Sequence, residues 1–164
     1  VRFVAWQAAH DVGLRGFSKE SKIRAVQKLS QNAKVFISCE GDLPQELEPY
    51  RLDLPLHRVH HLMAFAALIF GESATMCSEG AVLGVPGVYL DPIGRGYTDE
   101  QEAKYGLVFN YVPKSQEEAI MKGVELLDNE CTENWEEKRE KLLRETIDVT
   151  RMICQIAVDR PGHR

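Results

Sequence analysis

The residues best placed to do chemistry are Ser73, Ala74 and Thr75, with Glu79 about one helical turn further on. Small residues opening a helix offer backbone N–H groups and hydroxyls where the macrodipole favours an anion such as a phosphate. Glu79 lies too far in to compete for that phosphate. Its carboxylate can still accept hydrogen bonds from vicinal hydroxyls, as an acidic residue does on a ribose. An ordinary capped helix with Glu79 facing solvent has the same spacing, and on the residues alone the two readings stand level.

Two more groups belong with them. His10 and Asp11 directly follow an apolar run, where a histidine can work as general acid or base, or donate to a phosphate or sugar hydroxyl. The competing reading is a histidine that caps the next helix or binds backbone. Arg95, between Gly94 and Gly96, can clamp a diphosphate or a sugar carboxylate bidentately, or stand exposed in a flexible turn. His57 and His61 have the i,i+4 spacing of some metal pairs, but no acidic or thiol ligand accompanies them, so no metal site is expected. Tyr97, Tyr105 and Trp6 read as core or rim aromatics, one of which can stack on a uracil ring.

The elements that must position these groups alternate in type. Ala67 to Phe70 is a short apolar run of strand length, and Ser73 or Thr75 caps a helix with Met76, Ala81 and Val82 among its apolar positions. Gly84 closes that helix, and Gly87 to Leu90 is the next strand. Together they form a βαβ unit. Upstream, the pattern predicts a strand from Val1 to Trp6, a helix from about Lys19 to Gln31 and a strand over Lys34 to Cys39. A short helix over Pro44 to Glu48, a loop or edge segment over Leu52 to Leu56 and a helix over His57 to Ala66 follow. Downstream come a glycine-bearing loop from Asp91, a short helix over Asp99 to Tyr105 stopped by Gly106, and a strand over Leu107 to Val112. A helix over Ser115 to Leu127 and one long helix from Glu133 to about Val158, charged early and apolar late, complete the chain. The charged part reads as a solvated face with i,i+4 pairs. Such alternation implies an α/β doubly wound, Rossmann-like domain, its mainly parallel sheet covered by helices on both faces. Ligands then sit beyond the C-terminal strand ends, where the loops His10 to Gly16, Gly71 to Thr75 and Asp91 to Thr98 gather.

The run G-E-S-A-T-M-C-S-E-G-A-V-L-G-V-P resembles the nucleotide-binding motif in the C-terminal half of GT-B-type enzymes. It is closest to UDP-N-acetylglucosamine 2-epimerases and to a family of predicted glycosyltransferases. The similarity extends over most of the chain, including V-R-F-V-A-W-Q-A-A-H-D-V-G and R-G-Y-T-D-E-Q-E-A-K-Y-G-L-V-F-N-Y. The resemblance implies that Gly71, Ser73, Ala74 and Thr75 hold a diphosphate, aided by Arg95, and that Glu79 binds the ribose. Ala74 and Thr75 stand where the epimerases usually have two glycines. It also implies a functional histidine at the first loop, here His10 beside Asp11 without the epimerases' H-R-R-E-N pattern. An acidic residue after the third loop touches the sugar, and Asp99 or Glu100 is nearest that position. The implied activity is glycosyl transfer or 2-epimerisation of a nucleotide-diphosphate sugar, with a UDP sugar expected and no cofactor required. A non-catalytic nucleotide-sugar-binding or partner subunit is the alternative.

Composition agrees with a globular fold: 44% of residues are hydrophobic, 27% are charged, and the formal net charge is −5. That balance argues against a nucleic-acid partner. No apolar run approaches the roughly 20 residues that span a bilayer, so membrane contact is expected to be peripheral and through the acceptor alone. Cys39, Cys77, Cys131 and Cys154 are widely spaced, as expected of free thiols in a reducing cytoplasm. The chain opens directly in strand-like sequence. It is therefore expected to be one domain of a longer protein whose N-terminal half carries the acceptor site.

Overall fold

The computed structural model describes residues 1–5, 15–128 and 133–159. Five strands form one sheet: β1 (Arg2–Phe3), β2 (Ser38–Cys39), β3 (Ile69–Gly71), β4 (Gly87–Leu90) and β5 (Val108–Tyr111). Every pairing is parallel, in the order β2-β1-β3-β4-β5. The helices are α1 (Lys19–Leu29), α2 (Val59–Ala64), α3 (Ala74–Leu83), α4 (Gly96–Glu100), α5 (Gln116–Leu126), α6 (Trp135–Glu145) and α7 (Val149–Asp159). This is the doubly wound α/β fold.

Strand residues show why both faces are covered. Side chains alternate across a sheet. Phe70, Val88 and Leu90 therefore enter one core with Val26 and Leu29 of α1 and Ala119 and Ile120 of α5. Ile69, Tyr89 and Val108 enter the other, with Cys77 and Ala81 of α3 and Leu142 of α6. Strands buried on both sides read as continuous apolar runs rather than alternating ones. Gly87 to Leu90 is such a run, and it forms the strand the pattern predicts.

Several boundaries differ from the sequence pattern, each for a local reason. Pairing of β2 runs out above Ser38: Ser38 N–H donates to Val1 O at 2.9 Å, and the chain before it is tied through Ile37 to Tyr50 and Leu52. Most of the run from Lys34 is therefore not a strand. The segment Gln45–Tyr50 and the lead-in Leu56–Arg58 are tight 3-10 turns, each starting after a proline. Val82 faces solvent at 43% exposure, and Gly80 takes the close-packed position against Ile69 and Val85.

Two corrections are larger. The third loop ends at Arg95, because α4 starts at Gly96 and not at Asp99. Thr98 is buried inside that helix, with its hydroxyl donating to Arg95 O at 2.8 Å. A π-helical turn over Gln101–Tyr105 continues α4 and ends at Gly106 in the left-handed region, φ 60°. The long final helix is two helices. Thr146 is extended (φ −111°, ψ 158°), and Asp148 Oδ1 accepts from Arg151 N–H at 2.9 Å as the cap of α7. A β-branched pair followed by a capping Asp competes with helix continuation. The charges of α6 form the i,i+3 pair Glu136–Arg139, and its Arg139 and Lys141 donate to Val82 O and Lys104 O. Those contacts fix α6 to the body.

Candidate functional site

Sheet order locates the crevice. Strands are added on one side of β1 by β2 and on the other by β3, β4 and β5, so the winding reverses between β1 and β3. In doubly wound folds, ligands bind at that reversal, beyond the C-terminal strand ends. The segments leaving those ends are Val4–Ala5, Glu72–Ser73 and Asp91–Arg95. His10 and Asp11, and most of the first loop, lie outside the described residues, as does Trp6.

Gly71 stands at the C-terminal end of β3, against β1. Its φ is 142°, and a Cβ there would lie 2.0 Å from Arg2 O of β1. Glu72 N–H donates to that same carbonyl at 2.9 Å. Gly71 is thus a strand joint, needed for close approach of two backbones.

From this joint the chain turns straight into α3. Ser73 is its N-cap, and Ser73 Oγ accepts from Met76 N–H at 3.3 Å. The N–H groups of Ala74 and Thr75 belong to the first turn and have no intrahelical acceptor. Thr75 is exposed and Ala74 buried. Glu79, a turn and a half further on, faces α2: its Oε2 is 3.1 Å from His60 Nε2, and its side chain is 40% exposed. The carboxylate is thus paired laterally yet open to solvent. His57 and His61 are exposed, and among the described residues no His, Cys, Asp or Glu cluster is arranged to hold a metal.

The third loop is organised by a residue the sequence reading passed over. Asp91 is 3% exposed and collects four donors. Tyr89 Oη donates to its Oδ2; Ile93 and Gly94 N–H donate to its Oδ1 at 2.6 and 3.1 Å; Arg95 Nη2 lies 3.5 Å from its Oδ2. Burial, reinforced by the carboxylate, pushes the Tyr89 hydroxyl far above the ordinary tyrosine range. Arg95 is therefore held, not loose, and Nη1 donates back to Gly94 O at 2.8 Å. A guanidinium has five N–H donors, so these contacts leave others for an anion. Asp99 is exposed on α4, its carboxylate about 4 Å from the space a Gly94 side chain would fill. Glu100 is turned to Lys104 at 3.4 Å, which leaves Asp99 the acidic residue nearer the loop.

Glu72 was likewise missed. It is 3% exposed, and its oxygens accept from Phe17 N–H (2.6 Å) and Val4 N–H (2.8 Å), with Lys22 Nζ 3.5 Å away. The available signal was an acidic residue set directly behind a buried strand. Among the described residues the buried polar side chains are Glu72, Asp91, Thr98 and Gln101, all after β3 or β4. Gln101 Nε2 donates to Ser78 Oγ at 2.9 Å, while its Oε1 is buried without a partner.

A cavity of about 340 Å³ opens on the other edge of the sheet, among Val1, Leu29, Leu62, Met63, Leu68 and Leu127. Its lining is mainly apolar, with Lys34 and Ser38 as its polar side chains, whereas the buried carboxylates stand at the C-terminal edge. Among the described residues no helix is long and apolar enough to cross a membrane. No protein-family model, curated protein or solved structure matches the chain.

Proposed function

We propose that this domain binds the nucleoside-diphosphate part of a nucleotide sugar, a UDP sugar first, as half of a GT-B-like glycosyltransferase. One observation carries the reading: α3 opens directly off β3 at the reversal of the sheet, with first-turn amides that no group within the helix can satisfy. Those amides and the dipole behind them suit a diphosphate, and in group transfer they stabilise it as it departs. Arg95, held by Asp91, adds positive charge at little cost in ordering. Glu79 receives the ribose hydroxyls through Oε1, or through both oxygens once His60 moves aside. Asp99 is the candidate for the sugar.

The contribution of this half is positional and electrostatic, and the acceptor site belongs to the other half. Epimerisation at C2 uses the same binding arrangement, and product analysis with and without an acceptor separates the two reactions. A binding subunit without chemistry is the second reading, favoured by the apolar side chains that α7 leaves exposed.

Thermal shift and calorimetry with UDP, GDP, CDP and dTDP test the proposal on wild type, Glu79→Ala and Arg95→Ala. UDP at one hundred times its Kd adds about 2.7 kcal/mol of stability, a rise of several degrees for a chain of this size. Glu79→Ala is expected to remove most of that gain and Arg95→Ala about tenfold in affinity. A flat response to all four nucleotides would sink the proposal, and equal responses would remove the uridine preference.

A further inference from the structure

Two helices begin at the crevice, and their approaches are not alike. The amide leading into α1, Phe17 N–H, already has a carboxylate oxygen of Glu72 at 2.6 Å, and the amide leaving β1, Val4 N–H, has the other at 2.8 Å. The next amide, Ser18 N–H, donates to Gln116 Oε1 at 2.9 Å, and Ser18 Oγ caps Ser21 N–H at 3.1 Å. Lys22, on the first turns of α1, supplies the counter-charge at 3.5 Å and lies 4.8 Å over the Phe3 ring. The Glu72 side chain is 0% exposed. This arrangement has the parts of an anion site: converging backbone amides, a cation and no bulk water. The anion in it is the protein's own.

We infer that Glu72 is a specificity-determining residue, an internal anion that fills the β1 and α1 side of the crevice and confines an incoming diphosphate to α3. This rests on the proposed role of the crevice. A phosphate oxygen at Phe17 N–H would need the space of a carboxylate oxygen and would meet its charge where solvent cannot screen it. Among the described residues no carboxylate accepts from Ala74 or Thr75 N–H in this way. The result is a single polarity for the bound diphosphate, set without a contact between Glu72 and the ligand.

The test is an amide-resolved NMR titration of the 164-residue chain with inorganic pyrophosphate, in wild type, Glu72→Gln and Glu72→Ala. In wild type, shifts are expected at Ala74 and Thr75 and none at Val4, Phe17 or Ser18. In the variants Val4 and Phe17 join the responding set. Formate, a free carboxylate, is expected to raise the Tm of Glu72→Ala by about 3 °C or more while leaving wild type unmoved, a rescue that a packing role alone does not give. Glu72→Gln keeps the side-chain volume and serves where Glu72→Ala does not fold. Shifts at Phe17 in wild type, or variants indifferent to both anions, would overturn the inference. Silence at α3 in wild type with a gained response in the variants keeps Glu72 as the internal anion and removes the diphosphate reading of α3.

Discussion

Gly71 and Gly96 stand on the same edge of the sheet under opposite constraints. A Cβ on Gly71 would lie 2.0 Å from Arg2 O at a φ of +142°, and that carbonyl also holds Glu72 N–H. Neither backbone can retreat without opening the β1–β3 pairing and the Glu72 contacts together. Gly71→Ala is expected to cost roughly 3 kcal/mol or more, from strain plus overpacking. Gly96 begins α4 with nothing within 4 Å of its Cβ position. Gly96→Ala is expected to be neutral or to add up to about 1 kcal/mol, by restricting the unfolded chain. Denaturant unfolding of the two variants beside wild type measures both, and a Gly71→Ala protein as stable as wild type would mean the joint is not tight. The contrast also separates two uses of glycine that sequence alone merges, since either residue can be taken for a ligand-approach position.

At the scale of elements, α7 is the exception to an otherwise covered fold. Its side chains from Val149 to Val158 are all exposed, including Met152, Ile153 and Ile156. An isolated helix of eleven residues is marginal in water, and the exposed side chains of α7 give it no packing support. Deleting residues 149–159 is therefore expected to leave Tm within about 1 °C, and α7 amides should exchange orders of magnitude faster than those of α3. Protected α7 amides would show that another surface covers the helix. The elements readable from sequence were those whose signals are local: the Ser73 cap, Gly84 and Gly106 in left-handed conformation, and the apolar run of β4. The break at Thr146 was hidden because the residues around it, Leu142, Leu143 and Ile147, continue a helical apolar pattern. Glu72 was hidden for another reason: its amides are brought to it by the fold, from Val4 and Phe17. Asp91 is different, because its partners Tyr89, Ile93, Gly94 and Arg95 all lie within four residues of it, a local Asx-type turn that the run Asp91 to Gly94 could have signalled. Type and spacing therefore pointed to the C-terminal strand ends, while the role of Glu72 appears only once the strands are paired.

For the molecule as a whole, the core on the α3 side holds two ionisable groups in their neutral forms, which ties global stability to alkaline pH. Cys77 is 1% exposed in that core, its Sγ 3.8 Å from Val88 O, and burial pushes its thiol up to about 12 from an ordinary 9.0. Tyr89 is raised from its ordinary 10.0 by burial first and by Asp91 second. Both folded values lie above the unfolded ones, so the unfolded chain gives up these protons first. The stability they contribute is intact below about pH 9 and is lost as pH rises through the folded values. Cys77 alone accounts for about 1.4 kcal/mol per pH unit between roughly 9 and 12, and Tyr89 adds its own slope from about pH 10. Guanidinium unfolding at pH 8, 9.5 and 11 is expected to show this fall, with Cys77→Ala shallower from pH 9 and Tyr89→Phe shallower only from pH 10. The variants' absolute stabilities also carry packing losses, so the slopes are compared and not the midpoints. Because the two side chains lie in one core against the same strand, a slope unchanged in both variants would mean that this core admits water, and the two-sided burial of β4 would fail with it.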